Sequence, residues 1–184
     1  MKFFLILIIV ITLTFSTHTQ VLQAERKDEK TNHPMSAALM QAELTDTEGR
    51  MFRLDDIRGK VILLNIWAVW AGPSRDQMPH LVEIQNKYDR RDLEVIGINM
   101  GDPNGNPEEI RRIKVLADSV KVNYYLTNST KTFLNDFYAL TGQSVVPQTI
   151  LIDRRGLVKA IIIGSGDRNN ALMKSEVDKI VNLK

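Results

Sequence analysis

Cysteine, the most reactive nucleophile among the side chains, is absent from this chain. The hydroxyl of Ser74 is the candidate nucleophile in the run Trp-Ala-Val-Trp-Ala-Gly-Pro-Ser at residues 67–74. A serine hydroxyl is a weak nucleophile near neutral pH unless a base is paired with it. His80 lies nearly two helical turns further along the chain, so we do not expect a catalytic Ser–His pair.

Metal and phosphate sites have little support in the sequence. His33 and His80 are not paired at the spacing of metal ligands. Residues 102–106 are rich in oxygen ligands, but they lack the regular acidic spacing and the distal glutamate of a calcium loop, so they predict a capped turn. Residues 164–167 are too few to form a phosphate-binding loop. We therefore predict neither a metal nor a cofactor.

The elements that position Ser74 follow from hydropathy patterns. Residues 61–67 and 93–99 are nearly continuous apolar runs, which is typical of strands buried on both faces of a sheet. Pro79 lies inside the helix predicted after Ser74 and should kink it. The inward face of that helix is predicted from apolar residues at helical spacing, namely Met78, Leu81, Ile84 and Tyr88.

The other elements alternate between strands and helices. A hairpin is predicted over residues 41–54 with Gly49 in its turn, and a second hairpin over residues 148–163. A short strand near 122–126 and a helix near 131–140 lie between the central part of the chain and the second hairpin. An amphipathic helix closes the chain through Leu172, Val177, Ile180 and Val181. This order predicts an α/β fold with a mixed sheet, parallel at its centre and antiparallel at its edges.

A further helix is predicted to begin at residues 106–109. Asn106 is a candidate cap, Pro107 suits the first helical position, and Glu109 completes an arrangement like a capping box. Its inward face is predicted to consist of Ile110, Ile113, Ala117 and Val120.

The first residues have the pattern of a secretory signal peptide. Lys2 precedes an apolar run over residues 3–15, and cleavage is predicted after Ala24; an uncleaved membrane anchor is the alternative. Residues 25–40 are predicted to be a linker and residues 41–184 the folded domain.

Removing Lys2 from a net charge of +2 leaves +1, and no basic run suggests nucleic-acid binding. Membrane contact is expected only through an uncleaved N-terminal segment.

Residues 67–75 resemble the W-A-x-W-C-x-P-C-R motif of the extracytoplasmic, thioredoxin-like thiol–disulfide oxidoreductases (TlpA/ResA-like) related to cytochrome c maturation. Ala71 and Ser74 occupy the positions of the two motif cysteines. Pro79, the segment at residues 145–149 before a strand, and the turn at residues 152–156 follow in the order of that family. The resemblance covers about residues 41–184 and implies a thioredoxin fold with an N-terminal β-hairpin and a central insertion.

The resemblance also implies a peptide-binding groove. In the family, the residues that match Val146 and Pro147 are joined by a cis peptide bond facing the motif helix. The backbone of the residue before that proline pairs with an extended substrate peptide. The predicted peptide-binding residues are Trp70, Gly72, Pro73, Val146 and Pro147.

Each of these residues also has a structural interpretation. Ser74 could cap the motif helix, Pro147 could end a loop, and Trp70 could be a packing residue rather than an exposed one beside the groove. Trp67 is expected in the core. Asn65, inside a buried strand, is expected to be structural and to need hydrogen-bond partners.

These observations predict binding without turnover. Thiol–disulfide exchange needs a thiolate that attacks a disulfide sulfur, and neither Ala71 nor Ser74 provides one. We expect an exported, periplasmic or extracytoplasmic, redox-inactive protein that binds protein or peptide clients as extended segments. One alternative is an inactive Cys-to-Ala/Ser form of a thiol–disulfide reductase of the cytochrome c maturation type. Another is a purely structural partner subunit.

Overall fold

The computed structural model of the chain describes residues 31–183, so the predicted signal peptide, its uncleaved alternative and the first part of the linker lie outside the described residues. Of the helices between residues 31 and 183, none is long and apolar enough to cross a membrane. The elements are, in chain order, α1 (Ala37–Gln41), β1 (Leu44–Asp46), β2 (Met51–Phe52), a 3₁₀ turn (Leu54–Ile57), β3 (Val61–Trp67), α2 (Gly72–Lys87), β4 (Leu93–Asn99), α3 (Ile110–Val120), β5 (Tyr125–Asn128), α4 (Lys131–Thr141), β6 (Gln148–Ile152), β7 (Val158–Ile163) and α5 (Asp167–Val181).

The strands of the described region form one mixed sheet in the order β2-β1-β5-β4-β3-β6-β7. β3, β4 and β5 are parallel, whereas β6, β7 and the β1–β2 hairpin are antiparallel to their neighbours. This confirms the predicted parallel centre and antiparallel edges. Because Ile66 of β3 lies opposite Gln148 of β6, the end of β3 and the start of β6 meet at one edge of the sheet. We call this edge, marked by Trp67, Asn99 and Gln148, the motif edge.

Helices cover both faces of the sheet. On one face α2, α3 and α5 pack a core that contains Leu63, and on the other α1 and α4 pack a core that contains Leu64. Successive residues of a strand point to opposite faces, so a strand between two helical layers must be apolar at nearly every position. This explains the continuous apolar run at residues 61–67.

Most of the predicted elements are confirmed. β3 and β4 span the predicted residues, and every one of their residues is buried. α2 follows the motif and contains Pro79. The N-terminal hairpin forms with Gly49 in its turn at φ +81°, a backbone conformation that favours glycine.

The predicted start of α3 is wrong. The helix begins at Ile110, and Glu109 occupies the N-cap position without a capping bond from its side chain. Asn106 does not cap the helix, because the Oδ1 atom of Asp102 accepts the backbone N–H groups of Asn104 at 2.9 Å and Asn106 at 2.8 Å. A short polar side chain that binds the nearby backbone competes with helix formation, so these residues form the capped turn predicted for 102–106.

Two apolar residues predicted to face inward are exposed instead. Ile110 is the first residue of α3 and is 39% exposed, whereas Ile113 is fully buried. In α5, Leu172 is 44% exposed and Met173 takes the inward position. β5 also begins later than predicted, at Tyr125. Tyr124 packs into the core from the connection before the strand.

Part of the predicted linker packs onto the domain. α1 buries Leu39 and Met40 against the face covered by α4. The backbone N–H of Met35 donates to the carbonyl of Gly156 at 2.8 Å, and Pro34 forms a bridge with Leu157. The packed structure therefore includes residues 34–40, ahead of the predicted boundary at 41.

Replacement of Leu39 tests this packing. We expect Leu39→Ala to lower the free energy of unfolding by about 2–5 kcal/mol, because it leaves a cavity in the core. Thermal and urea unfolding would measure the loss. Leu183→Ala is the matched control, since that leucine is 56% exposed and its truncation should cost little. Equal stability of the two variants would contradict the packing of α1.

Candidate functional site

The motif lies where β3 ends and α2 begins, at the motif edge. α2 begins at Gly72, with Pro73 as its second residue and Ala71 as its N-cap. Proline is suited to the first turn, where a missing amide leaves no helical hydrogen bond unmade. The carbonyl of Ala71 accepts the backbone N–H groups of Ser74 at 3.1 Å and Arg75 at 3.2 Å. The helix is therefore well formed at the position of the first motif cysteine, although Ala71 has only a methyl group there.

Ser74 does not cap the helix, contrary to one of its predicted roles. It is the third residue of α2, is 1% exposed, and its hydroxyl has no hydrogen-bond partner among residues 31–183. Burying a hydroxyl without a partner costs roughly 1–3 kcal/mol. A free cysteine behaves as a small hydrophobic residue with a weak donor, so this environment suits a thiol better than the hydroxyl that occupies it.

Asn65 links the motif helix to the neighbouring strand. Its side chain is buried, and Nδ2 lies 2.8 Å from Oε1 of Gln77 and 3.0 Å from Oγ1 of Thr149. The backbone carbonyl of Gln148 is a third acceptor at 3.3 Å. Asn65 on β3 lies directly opposite Thr149 on β6, which explains how one amide reaches both the helix and the strand. The predicted structural role of Asn65 is confirmed.

The side chain of Gln148 organises the loop before β6. Its Nε2 atom donates to the carbonyls of Val145 at 2.6 Å and Gln143 at 3.0 Å. The carbonyl of Pro147 accepts the backbone N–H of Gly164 at 2.8 Å, and the bond between Val146 and Pro147 is cis, as the resemblance implies.

The peptide group of Val146 is left open by this arrangement. Neither its N–H nor its carbonyl has a hydrogen-bond partner among residues 31–183, and its side chain is half-buried against the core. Its neighbour Val145 is 51% exposed. Because Val146 precedes β6, this open peptide group lies at the motif edge.

Trp70 lies on the other side of the motif. It is 42% exposed, and its Nε1 donates to the carbonyl of Gly101 at 3.0 Å, whereas Trp67 is buried as predicted. Gly101 follows β4, has φ +98°, and a Cβ atom there would lie 2.3 Å from the carbonyl oxygen of Asn106. Only glycine fits this position, so the turn that fixes Gly101 also fixes the indole.

The charge on Asp102 stabilises the same turn. The backbone N–H of Asn106 is the main cause that lowers the pKa of this carboxyl, because it donates to the charged form. Asp102 is therefore ionised at neutral pH, and its hydrogen bonds hold the segment that accepts the indole of Trp70.

The structure brings the predicted binding residues to one edge of the sheet. Trp70, Gly72 and Pro73 follow β3, whereas Val146 and Pro147 precede β6. α2 begins at Gly72, so the partial positive charge of the helix N-terminus also lies at this edge. Within the described residues, no group of three His, Asp or Glu side chains is close enough to hold a metal ion. The arrangement offers backbone hydrogen bonds and an apolar indole surface.

Two contributors to this edge were not predicted as site residues. Gln77 is buried on the same face of α2 as Ser74, three residues further along, and that spacing is the signal that could have identified it. Gly101 is part of the edge through its carbonyl, which sequence patterns do not reveal.

Comparisons with known proteins agree with this geometry. Residues 35–161 match the AhpC/TSA family. The chain is 31% identical over 137 residues to the thiol-disulfide oxidoreductase ResA of Geobacillus thermodenitrificans, covering 74% of each chain. It is 25% identical over 135 residues to the thioredoxin-like protein YneN of Bacillus subtilis, covering 73% of this chain and 75% of that one. A thiol:disulfide interchange protein of Chlorobium tepidum has the same fold, with a TM-score of 0.68 and 20% identity over 82% of this chain and 98% of that one.

Removing the buried hydroxyl of Ser74 should stabilise the protein. We expect Ser74→Ala to raise the free energy of unfolding by about 1 kcal/mol, because a hydroxyl without a partner disappears. Thr130→Ala is the contrasting control, since the Thr130 hydroxyl caps α4 by accepting the N–H of Phe133, and its loss should cost about 1 kcal/mol. Chemical denaturation measures both variants, and destabilisation by Ser74→Ala would show that its hydroxyl is satisfied in solution.

Proposed function

Because the chain belongs to the AhpC/TSA family, and within it to the ResA-like thiol–disulfide oxidoreductases, but contains no cysteine, we propose that it is an exported, redox-inactive binder of extended protein segments. The proposed binding site is the groove formed by Trp70, Gly72, Pro73, Val146 and Pro147. The observation that carries this proposal is the open peptide group of Val146 at the motif edge.

The open peptide group supports recognition by strand addition. An extended segment can pair with backbone N–H and C=O groups that the hydrogen bonds of the sheet leave free, and those main-chain hydrogen bonds supply affinity for many sequences. The groups on both sides of Val146 are engaged within the protein, through Gln148 and Gly164. Val146 is therefore held in place while its own N–H and C=O remain available.

Trp70 supports the proposal from the other side of the motif. An exposed indole fixed by one hydrogen bond offers apolar contact area without the entropy cost of ordering a free side chain. Its polar N–H is already satisfied by Gly101, so a client would meet the apolar face of the ring.

The absence of thiols supports binding without exchange. Exchange proceeds by attack of a thiolate on a disulfide sulfur, which forms a mixed disulfide that a second thiol resolves. Ala71 has a methyl group at the attacking position, and the Ser74 hydroxyl is buried without a paired base. Export is supported by the charged start and the apolar run at residues 3–15.

Site-specific photo-crosslinking in the native host tests the groove. A photoreactive residue at position 146 should capture a reproducible set of proteins, identified by mass spectrometry. Trp70→Ala should lower the yield of these adducts about thirtyfold, because an aromatic anchor buried at an interface contributes roughly 2 kcal/mol. The same photoreactive residue at position 51 is the control, since Met51 is 67% exposed on the β1–β2 hairpin.

The crosslinking outcome decides between groove and structural subunit. Adducts that are equal from positions 146 and 51, or that persist in Trp70→Ala, would contradict a groove binder. An empty result from folded, exported protein would favour the structural reading.

Introducing the two motif cysteines tests whether their absence alone prevents thiol–disulfide exchange. The double variant Ala71→Cys/Ser74→Cys should gain reduction of insulin disulfides in the presence of dithiothreitol, while the unchanged protein stays at the background rate. The reason is that the start of α2 would lower the pKa of a thiol at position 71. Ala71→Cys alone should form mixed disulfides without turnover, because no second thiol resolves them. Catalysis by the unchanged protein would contradict its assignment as redox-inactive.

A further inference from the structure

A second cavity adjoins the motif on the side of α3. It has a volume of about 520 Å³ and lies between the motif loop, through Val69 and Arg75, and the outer face of α3, through Arg111 and Val115. Val69 immediately precedes Trp70 in the chain. We call this cavity the arginine cleft.

Arginine side chains outnumber carboxylates in the lining of the arginine cleft. Arg112 is engaged, because Nη1 donates to Oε1 of the buried Glu108 at 2.8 Å. The side chain of Arg111 has no hydrogen bond or ion pair with any residue in 31–183, and the side chain of Arg75 donates to the carbonyl of Val69 at 3.0 Å. Glu109 is the single carboxylate that lines the cleft. Two arginines that line the cleft, Arg75 and Arg111, are therefore without a carboxylate partner in the described region.

The wall of the arginine cleft is apolar beside these charges. Val115 is 63% exposed, and Val69 and Leu116 are half-buried. Arg111 and Val115 are four residues apart on α3, so they are neighbours on one helix face, with about 5–6 Å between their Cβ atoms. A guanidinium next to an exposed valine fits a carboxylate that is followed by an apolar group.

We infer that the arginine cleft binds an acidic side chain and the apolar residue next to it in an extended protein segment. Guanidinium recognises carboxylate through paired N–H donors, and the exposed valine gains from contact with an apolar neighbour. The inference rests on the proposed function, because the cleft adjoins the motif through Val69, the residue before Trp70. It adds selectivity for acidic–apolar sequences, which strand addition at Val146 alone would not provide.

An NMR titration with defined peptides tests the inference. The probe is a blocked hexapeptide, Ala-Ala-Asp-Leu-Ala-Ala, compared with its Asn-Leu analogue. The aspartate peptide should shift the backbone amides of Val115 and Leu116, and Arg111→Glu should weaken its binding about tenfold, because a charge-assisted hydrogen bond is lost and a repulsion is added. Arg155→Glu is the matched control, since Arg155 is an exposed arginine in the β6–β7 turn, at the opposite end of these strands from the motif edge.

The titration separates the cleft from the groove. Equal binding of the aspartate and asparagine peptides, an unchanged affinity in Arg111→Glu, or no shifts at Val115 and Leu116 would overturn the inference. If the amide of Val146 shifts in both the unchanged protein and Arg111→Glu, and the amides of the cleft do not shift, the groove is supported and the cleft is rejected. Shifts in the cleft without any at Val146 would support the cleft and count against the groove.

Discussion

The Nδ2 atom of the Asn65 side chain lies within hydrogen-bond distance of acceptors on α2 and β6. Its position inside a strand buried on both faces means that a failure to pair would leave a polar group in the core, at a cost of about 1–3 kcal/mol. The pairing therefore fixes where α2 begins relative to Gln148. Gln148 in turn holds the carbonyls around Val146, so the geometry of the groove depends on one buried hydrogen-bond cluster.

The position of the motif helix does not depend on sulfur chemistry. α2 is held by apolar contacts through Met78, Leu81 and Ile84, and by Asn65 through Gln77. A disulfide at the motif would close a very short loop, and loop-closure stabilisation is smallest for short loops. The absence of both motif cysteines therefore removes thiol–disulfide exchange without disturbing the architecture. The hydroxyl of Ser74, at the position of the second motif cysteine, has no hydrogen-bond partner in the described region.

The elements predicted most accurately are those whose sequence pattern reflects burial. β3 and β4 are apolar at nearly every position because helices cover both faces of the sheet, and their bounds follow from that. Predictions failed where local polar contacts compete with helix formation, as at Asn106, whose backbone is bound by Asp102. The same limit applies to the site. Residue types identified the motif, but the hydrogen bond of Trp70 to Gly101 depends on a backbone carbonyl, which has no signature in the sequence.

A protein that binds without turnover needs a means of selection, since no reaction step discriminates among its clients. Main-chain pairing, as proposed at Val146, is almost independent of sequence. Side-chain selection must come from beside it, and the contrast within α3 indicates how. Glu108 is buried and engages Arg112, so that arginine is unavailable, whereas the adjacent Arg111 has no partner in the described region. An exposed, unpaired guanidinium costs the free protein little stability. A carboxylate that binds Arg111 beside Val115 displaces water, so the resulting ion pair is stronger than one fully exposed to solvent. Backbone pairing would then supply affinity, and the unpaired arginine would supply selectivity.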